Sequence, residues 1–234
     1  MQTLFDELSK KININLNANQ ISKFILYKNL LKEWNEKINL TAIIEDEEII
    51  LKHFIDSLTV VEYIKENTSI IDVGTGAGFP GIPVKIVKEN TKITLLDSLN
   101  KRLNFLNEVI DKCELNDIST VHGRAEDFGN NKEYREKYDI AVARAVANLS
   151  TLTELCLPFV KVGGRFIAMK GSNIDEIEEA KKAIEILGGK IEKIDKIILP
   201  NSDIERNIII IKKVKNTPKR YPRKAGVPAN KPIK

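Results

Sequence analysis

Metal and thiol chemistry have little to draw on in this 234-residue chain, which holds two cysteines, two histidines, one tryptophan and two methionines. Cys113 and Cys156 lie far apart in apolar surroundings. Neither belongs to a CxxC pair or a histidine cluster of the kind zinc needs, so no metal is expected and both thiols should be buried and reduced. No apolar stretch approaches the roughly twenty residues that cross a bilayer, and the N-terminus MQTLFDELSKK has no basic region followed by an apolar one. A cytoplasmic protein with no membrane partner is expected. Internal repeats are absent as well. What is present, 42% hydrophobic and 30% charged residues, suits one sizeable α/β domain or such a domain with a modest appendage.

Acidic residues also run out toward the end. Residues 212–234 contain nine Lys and Arg and no Asp or Glu; against a net charge of +4, this leaves −5 over the first 211 residues. Basicity gathered at one end is a cue for a polyanionic partner, most often nucleic acid. The last stretch, KNTPKRYPRKAGVPANKPIK, interleaves Pro218, Pro222, Pro228 and Pro232 with these cations and with Tyr221. Proline at this density forbids helix and central strand, so an extended or mobile segment is expected. Two readings remain: a solubilising terminus, or a strap on RNA phosphates with Tyr221 stacking on a base.

The chain is organised around residues 69–97, SIIDVGTGAGFPGIPVKIVKENTKITLLD. An apolar run stops at Gly74, Gly76 and Gly78, and a second stops at Asp97, which reads as strand, glycine turn, helix, strand. Glycines at alternate positions permit positive φ and remove the Cβ atoms that would hold a ligand off the main chain. A carboxylate about twenty residues further on, ending the next strand, is placed to accept the hydroxyl hydrogens of a ribose. A dinucleotide fingerprint wants its third glycine one residue later than Gly78; here Phe79 and Pro80 follow instead, which favours S-adenosylmethionine.

Before this turn, Ile21, Phe24, Tyr27, Leu31, Trp34 and Ile38 recur at helical spacing over 20–38, and Ile50, Phe54, Leu58, Val61 and Ile64 do so over 47–65. Residues 1–66 therefore read as a helical cap, with Trp34 in its core. His53 and Asp56, one turn apart in HFIDS, read equally as a surface pair or a substrate contact. After the turn, Pro83 fits only the first turn of a helix over 81–88. Ser98 is the expected N-cap of a helix over 99–113. A third strand over 118–121 leads to Ala125 and Glu126, where an adenine would be held or a charged loop would lie. Strand 138–143 ends at Arg144, and beyond the carboxyl end of a parallel strand an arginine has a raised functional prior. A helix over 149–160, a turn at Gly163–Gly164, strand 165–169 ending at Lys170, helix 174–187 and strands 190–199 and 207–214 complete a mostly parallel sheet with helices on both faces.

The motifs DVGTGAGFPGIP, DSLNKR from Asp97, GRAED around Glu126, ARAVANL holding Arg144, MKG at Lys170, RNIIIIKK and NTPKRYPRKAGVPANKPI, with WNEKINLTAI and HFIDSL, resemble the RsmG (GidB) family over about residues 20–234. The resemblance implies an α/β fold with a Rossmann-like, seven-stranded class I methyltransferase sheet, its last strand antiparallel, and an N-terminal helical cap. The division would be cap 1–66, methyltransferase domain 67–214 and basic tail 215–234. It also implies methyl transfer from S-adenosylmethionine to N7 of a guanine in 16S rRNA, on naked RNA or on the 30S subunit. Gly74, Phe79, Ala125, Glu126 and Arg144 would line the cofactor pocket with Gly76, Gly78, Asp97 and Ser98 near by. Arg144 and Lys170 are the candidate catalytic residues; Lys170, Arg206, Lys219, Arg220, Tyr221, Arg223 and Lys224 are the candidate RNA contacts; a monomer is expected. N7 has a free lone pair and loses no proton, so alignment replaces a general base. Ala143 to Val146 occupy the place where amine methylases carry an Asn or Asp followed by two prolines and an aromatic residue. A small-molecule methyltransferase and a dinucleotide oxidoreductase are the competing classes.

Overall fold

A computed structural model describes residues 2–144 and 147–234. In chain order its elements are α1 (Gln2–Lys11), α2 (Ala18–Asn35), α3 (Asp46–Glu48), a π-helical segment (Ile49–Ile55), α4 (Asp56–Leu58), β1 (Ser69–Val73), α5 (Gly81–Val87), β2 (Lys92–Asp97), α6 (Asn100–Lys112), β3 (Ile118–His122), α7 (Ala125–Phe128), β4 (Tyr138–Arg144), α8 (Leu149–Cys156), β5 (Val160–Lys170), α9 (Asp175–Ile186), β6 (Gly189–Ile198), β7 (Glu205–Lys213) and α10 (Val227–Asn230). The strands form one sheet in the order β3-β2-β1-β4-β5-β7-β6. The pairs from β3 through β5 are parallel, and β7 is antiparallel to both its neighbours. Its run Ile208–Ile211 is buried between them, as an unbroken apolar strand must be.

Alternate side chains of β1 enter two different cores. Ile70 joins the cap, α5 and α6 on one face. Ile71 and Val73 join α8 and α9 on the other. The cap is continuous with the first core: Phe24 and Phe54 have ring centroids 5.1 Å apart, and Tyr27 lies 5.5 Å from Phe79 at the glycine turn. Phe24, Tyr27, Leu31 and Phe54 are fully buried. At roughly 2 kcal/mol for each such side chain, apolar contact binds the cap far more firmly than any one hydrogen bond across the junction.

Several local expectations are corrected. The cap has a third helix, α1, whose buried Phe5 and Leu8 are too few to establish a period. The second expected helix has π-helical turns at its centre, and these wide turns keep Ile49, Ile50, Phe54 and Ile55 buried while His53 and Asp56 reach β4. Trp34 is only half-buried and donates its indole N–H to Glu108 at 2.8 Å. Leu99, not Ser98, is the N-cap of α6, and no side chain caps it. Gly163 and Gly164 make no turn; β5 runs through them from Val160, with a register shift against β4. A Cβ on Gly164 would lie 2.4 Å from Asp139 O, so close backbone approach is what requires glycine there.

The proline-rich end is packed, not extended. Its carbonyls are taken up by side chains of the domain: Arg135 donates to Thr217 O (2.7 Å) and Tyr221 O (2.7 Å), and Ser150 to Ile233 O (2.6 Å). Arg223 pairs with the buried carboxylate of Glu154 at 2.6 Å, and Tyr221 is 8% exposed.

Candidate functional site

The order of the strands reverses between β1 and β4, and in such sheets a crevice opens beyond the carboxyl ends of the diverging strands. A cleft of about 440 Å³ lies there, lined by Gly74, Gly76, Phe79, Asp97, Ser98 and Arg144, with Thr41 and His53 from the cap. Gly76, at φ +61°, forms an open floor: a Cβ there would meet nothing nearer than 4.0 Å. Gly78 is different. Its Cβ would sit 2.7 Å from both Ile82 Cδ1 and the Tyr27 hydroxyl, so the third glycine faces the cap and core rather than a ligand. The Tyr27 hydroxyl donates to Ala77 O, which ties α2 to the turn.

Asp72 organises the turn from beneath. Its buried carboxylate accepts from Thr75 Oγ1 at 2.7 Å and Gly81 N at 2.8 Å through one oxygen, and the other has no hydrogen-bond partner among the described residues. Burial pushes this acid up to about 6, against the pull of those two donors. Asp97 closes the other side. Oδ2 accepts from Gly76 N and Oδ1 from Leu99 N, each at 2.9 Å, with Arg102 at 3.4 Å. Each oxygen keeps lone pairs that ribose hydroxyls can use. The open floor at Gly76 and this oriented carboxylate fit the nucleoside of S-adenosylmethionine.

Arg144 stands between this cleft and a second cavity of about 290 Å³, which Arg144 and His53 share with Ile43, Asp56, Met169, Lys170 and Arg206. Its Nη1 donates to Lys52 O at 3.1 Å and to Asp56 Oδ2 at 3.3 Å, and its guanidinium lies 4.9 Å from the Phe79 ring centroid. The His53 ring stacks on Phe79 at 4.5 Å. Burial, and then the Arg144 charge, hold His53 down to about 4, so it is neutral near pH 7. With Arg144 Nη2 3.3 Å from Nδ1, the proton belongs on Nε2, from which it is donated to Thr41 Oγ1 at 2.8 Å. Both imidazole nitrogens are therefore engaged. Asp56 is not on the surface: it is 3% exposed and also accepts from Arg206 Nε at 3.1 Å.

The remaining sequence candidates are dispersed. Ala125 and Glu126, on α7, do not line the cleft, and Glu126 Oε1 accepts from Gly226 N at 2.9 Å. Lys170 lines the second cavity with its ammonium held by Ala147 O (2.7 Å) and Glu176 (3.0 Å). Tyr221 is buried and Arg223 is paired, so neither offers a free surface to RNA; Lys219, Arg220 and Lys224 are exposed. Ala145 and Val146 lie outside the described residues. Arg102 carries no sequence signal of its own, Thr41 stands out only with Asn35 and Asn39 as a polar residue of NEKINLTAI between the cap helices, and only the polar interruption of an apolar helix in HFIDS marks His53 and Asp56. Two roomier cavities, about 550 Å³ beside Leu58 and Ile198 and about 560 Å³ beside Ile184 and Val214, do not touch the carboxyl ends of the parallel strands.

Residues 20–208 match the family model GidB, rRNA small subunit methyltransferase G. Ribosomal RNA small subunit methyltransferase G of Acetivibrio thermocellus is 61% identical over 234 residues, covering 100% of this chain and 97% of that protein. Its counterpart in Clostridium novyi is 54% identical, covering 96% and 94%. Among solved structures, M. jannaschii TYW2 in complex with AdoMet superposes with a TM-score of 0.56 at 14% identity, over 74% of this chain and 80% of that one. A SAM-dependent methyltransferase from Aquifex aeolicus gives 0.54 at 16%, over 77% and 97%. At these identities the superpositions establish the fold, a Rossmann-like class I methyltransferase sheet.

Proposed function

Since the chain belongs to the GidB family, rRNA small subunit methyltransferase G, we propose that it transfers the methyl group of S-adenosylmethionine to N7 of one guanine of 16S rRNA, alone or within the 30S subunit, in the cytoplasm and as a monomer. The cofactor supplies an electrophilic methyl on a sulfonium. Asp97 would accept the ribose hydroxyls, the floor at Gly74 and Gly76 would let the ligand approach the main chain, and Phe79 with Arg144 would border its other end. The observation that carries the reading is the Asp97 carboxylate, fixed by the Gly76 and Leu99 amides at the mouth of the topological switch.

Methylation at N7 requires no base, and neither His53 nor either cysteine is placed to act as one. His53 is neutral and hydrogen-bonded at both nitrogens, while Cys113 and Cys156 are buried with thiol pKa values raised by that burial. Catalysis then consists of holding the lone pair in line with the methyl group. Arg144 and Lys170 border the second cavity, which adjoins the cleft and receives the base, and exposed Lys219, Arg220 and Lys224 would meet phosphates. No helix among the described residues is long and apolar enough to cross a membrane.

The deciding experiment maps N7-methylguanine in 16S rRNA from cells with and without this protein. A single site that disappears with the protein supports the reading, and an unchanged map refutes it. A thermal shift with S-adenosylmethionine and none with NAD separates it from a dinucleotide enzyme.

A further inference from the structure

We propose that the second cavity reads the O6 atom of the target guanine through the guanidinium of Arg206, with Asp56 as the residue that positions it. The inference rests on the guanine-N7 reading above and adds how guanine is told from adenine. N7 and O6 lie side by side on one edge of guanine and both accept hydrogen bonds, whereas adenine presents an amino donor in place of O6. If N7 faces the methyl-donor cleft, O6 faces the wall beside it, and that wall is the second cavity.

Of the terminal guanidinium nitrogens that line this cavity, one has no partner among the described residues. Lys170 is held by Glu176 and Ala147 O. Lys52 is paired with Glu48. Both ends of the Arg144 fork are taken by the cap, Nη1 by Lys52 O and Asp56 and Nη2 by His53. Arg206 differs. Its Nε donates to both oxygens of Asp56 at 3.1 Å and its Nη1 to Glu205 O at 3.0 Å, while Nη2 has no partner among the described residues.

Asp56 is thus a buried carboxylate holding two guanidinium groups, which leaves one positive charge in excess beside a cavity that Arg206 lines. An acceptor is welcome there; the adenine amino group is not. Met169 and Ile43 supply apolar surface for the faces of a planar ring. A charged donor on a carbonyl acceptor is among the stronger hydrogen bonds, and a planar fork keeps its direction.

The test uses reconstituted small subunits carrying either guanine or 2-aminopurine at the target position. The analogue keeps N7 and the exocyclic amine and lacks O6. Methyl transfer is followed as tritium passing from labelled S-adenosylmethionine to RNA. Wild type should favour guanine by about tenfold or more in kcat/KM. In Arg206→Ala the guanine rate should fall by about that factor while the 2-aminopurine rate stays within about twofold, so that the preference collapses; Asp56→Asn should collapse it too.

An Arg206→Ala protein that slows both substrates equally and keeps the preference overturns the proposal and leaves Arg206 a structural tie between β7 and the cap. Should that variant fail to fold, Arg206→Gln is measured in its place, and an unchanged preference there refutes the proposal equally. Calorimetric binding of S-adenosylmethionine, expected to be unchanged in the Arg206 variants, shows that the first cleft is intact. A wild type that methylates neither subunit overturns the underlying activity, a pattern distinct from equal slowing.

Discussion

Replacing Asp72 by asparagine isolates the acid beneath the glycine turn. In the native state its carboxyl is wholly buried, with one oxygen serving Thr75 and Gly81 and the other unpartnered, and burial lifts its pKa from 3.8 to about 6. A raised folded-state value means that the native protein keeps a proton the unfolded chain has already released. The contribution to stability is therefore fully present below the unfolded pKa and is lost as pH rises through the folded one. The gap is about two units at roughly 1.4 kcal/mol each, so wild type should lose about 3 kcal/mol relative to Asp72→Asn between about pH 4 and 7.

Asparagine keeps an acceptor for Thr75 and Gly81, which leaves the turn in place. Urea unfolding of both proteins across this range gives the difference curve. Wild type alone would hide the effect, because His53 has the opposite sign: its folded value, about 4, lies below the unfolded 6.5, so its contribution is lost as pH falls. A difference curve that stays level from pH 4 to 8, or that slopes toward wild type, refutes the burial argument for Asp72.

Four further outcomes follow from the same geometry. Asp97→Ala removes the proposed ribose acceptor and strands the Gly76 and Leu99 amides, so affinity for S-adenosylmethionine should fall by about a hundredfold in calorimetry, at roughly 1.5–3 kcal/mol for each charged hydrogen bond; an affinity within about threefold of wild type would show that the carboxylate does not face the cofactor. Neutralising Lys219, Arg220 and Lys224 should shallow the salt dependence of RNA binding by about 2 in log–log slope, whereas Arg223→Ala should act on the fold, costing about 3 kcal/mol in chemical denaturation because Glu154 is left buried without its cation. The rate of methyl transfer should show no ionisation of His53 between about pH 6 and 8, given a value held near 4; an inflection in that range that vanishes in His53→Gln contradicts its neutral assignment.

The parts of the site that were legible in the sequence depend on backbone and spacing. Gly76 and Asp97 are recognisable because a positive-φ turn and a strand-ending acid leave marks in the order of residues, and Arg144 because a buried strand ends at a charge. Ser98 was misassigned as a cap because Asp97, one residue earlier, already accepts the Leu99 amide. Gly78 illustrates a different limit: its positive φ is written in the sequence, but whether the missing Cβ faces a ligand or Tyr27 depends on a helix fifty residues away. The tail was misjudged for a related reason. Proline excludes regular ladders, yet it says nothing of Arg135, Ser150 and Glu154, whose side chains satisfy the tail from elsewhere in the chain.

The cap is where sequence reasoning and geometry part most, and it also walls the second cavity. The cleft at the end of β1 and β2 is built mainly by the sheet and its glycine turn, with Thr41 and His53 of the cap on its wall. The second cavity needs more: Asp56 and His53 come from the irregular cap helix, Arg144 from β4 and Arg206 from β7, and one buried carboxylate joins the three elements. With a single carboxylate facing two guanidinium groups, removal of Asp56 leaves like charges opposed in a confined space, whereas removal of either arginine leaves the other paired. The sheet therefore supplies a generic place for a methyl donor, and under the proposed reading the seam between cap and sheet would select the base presented to it.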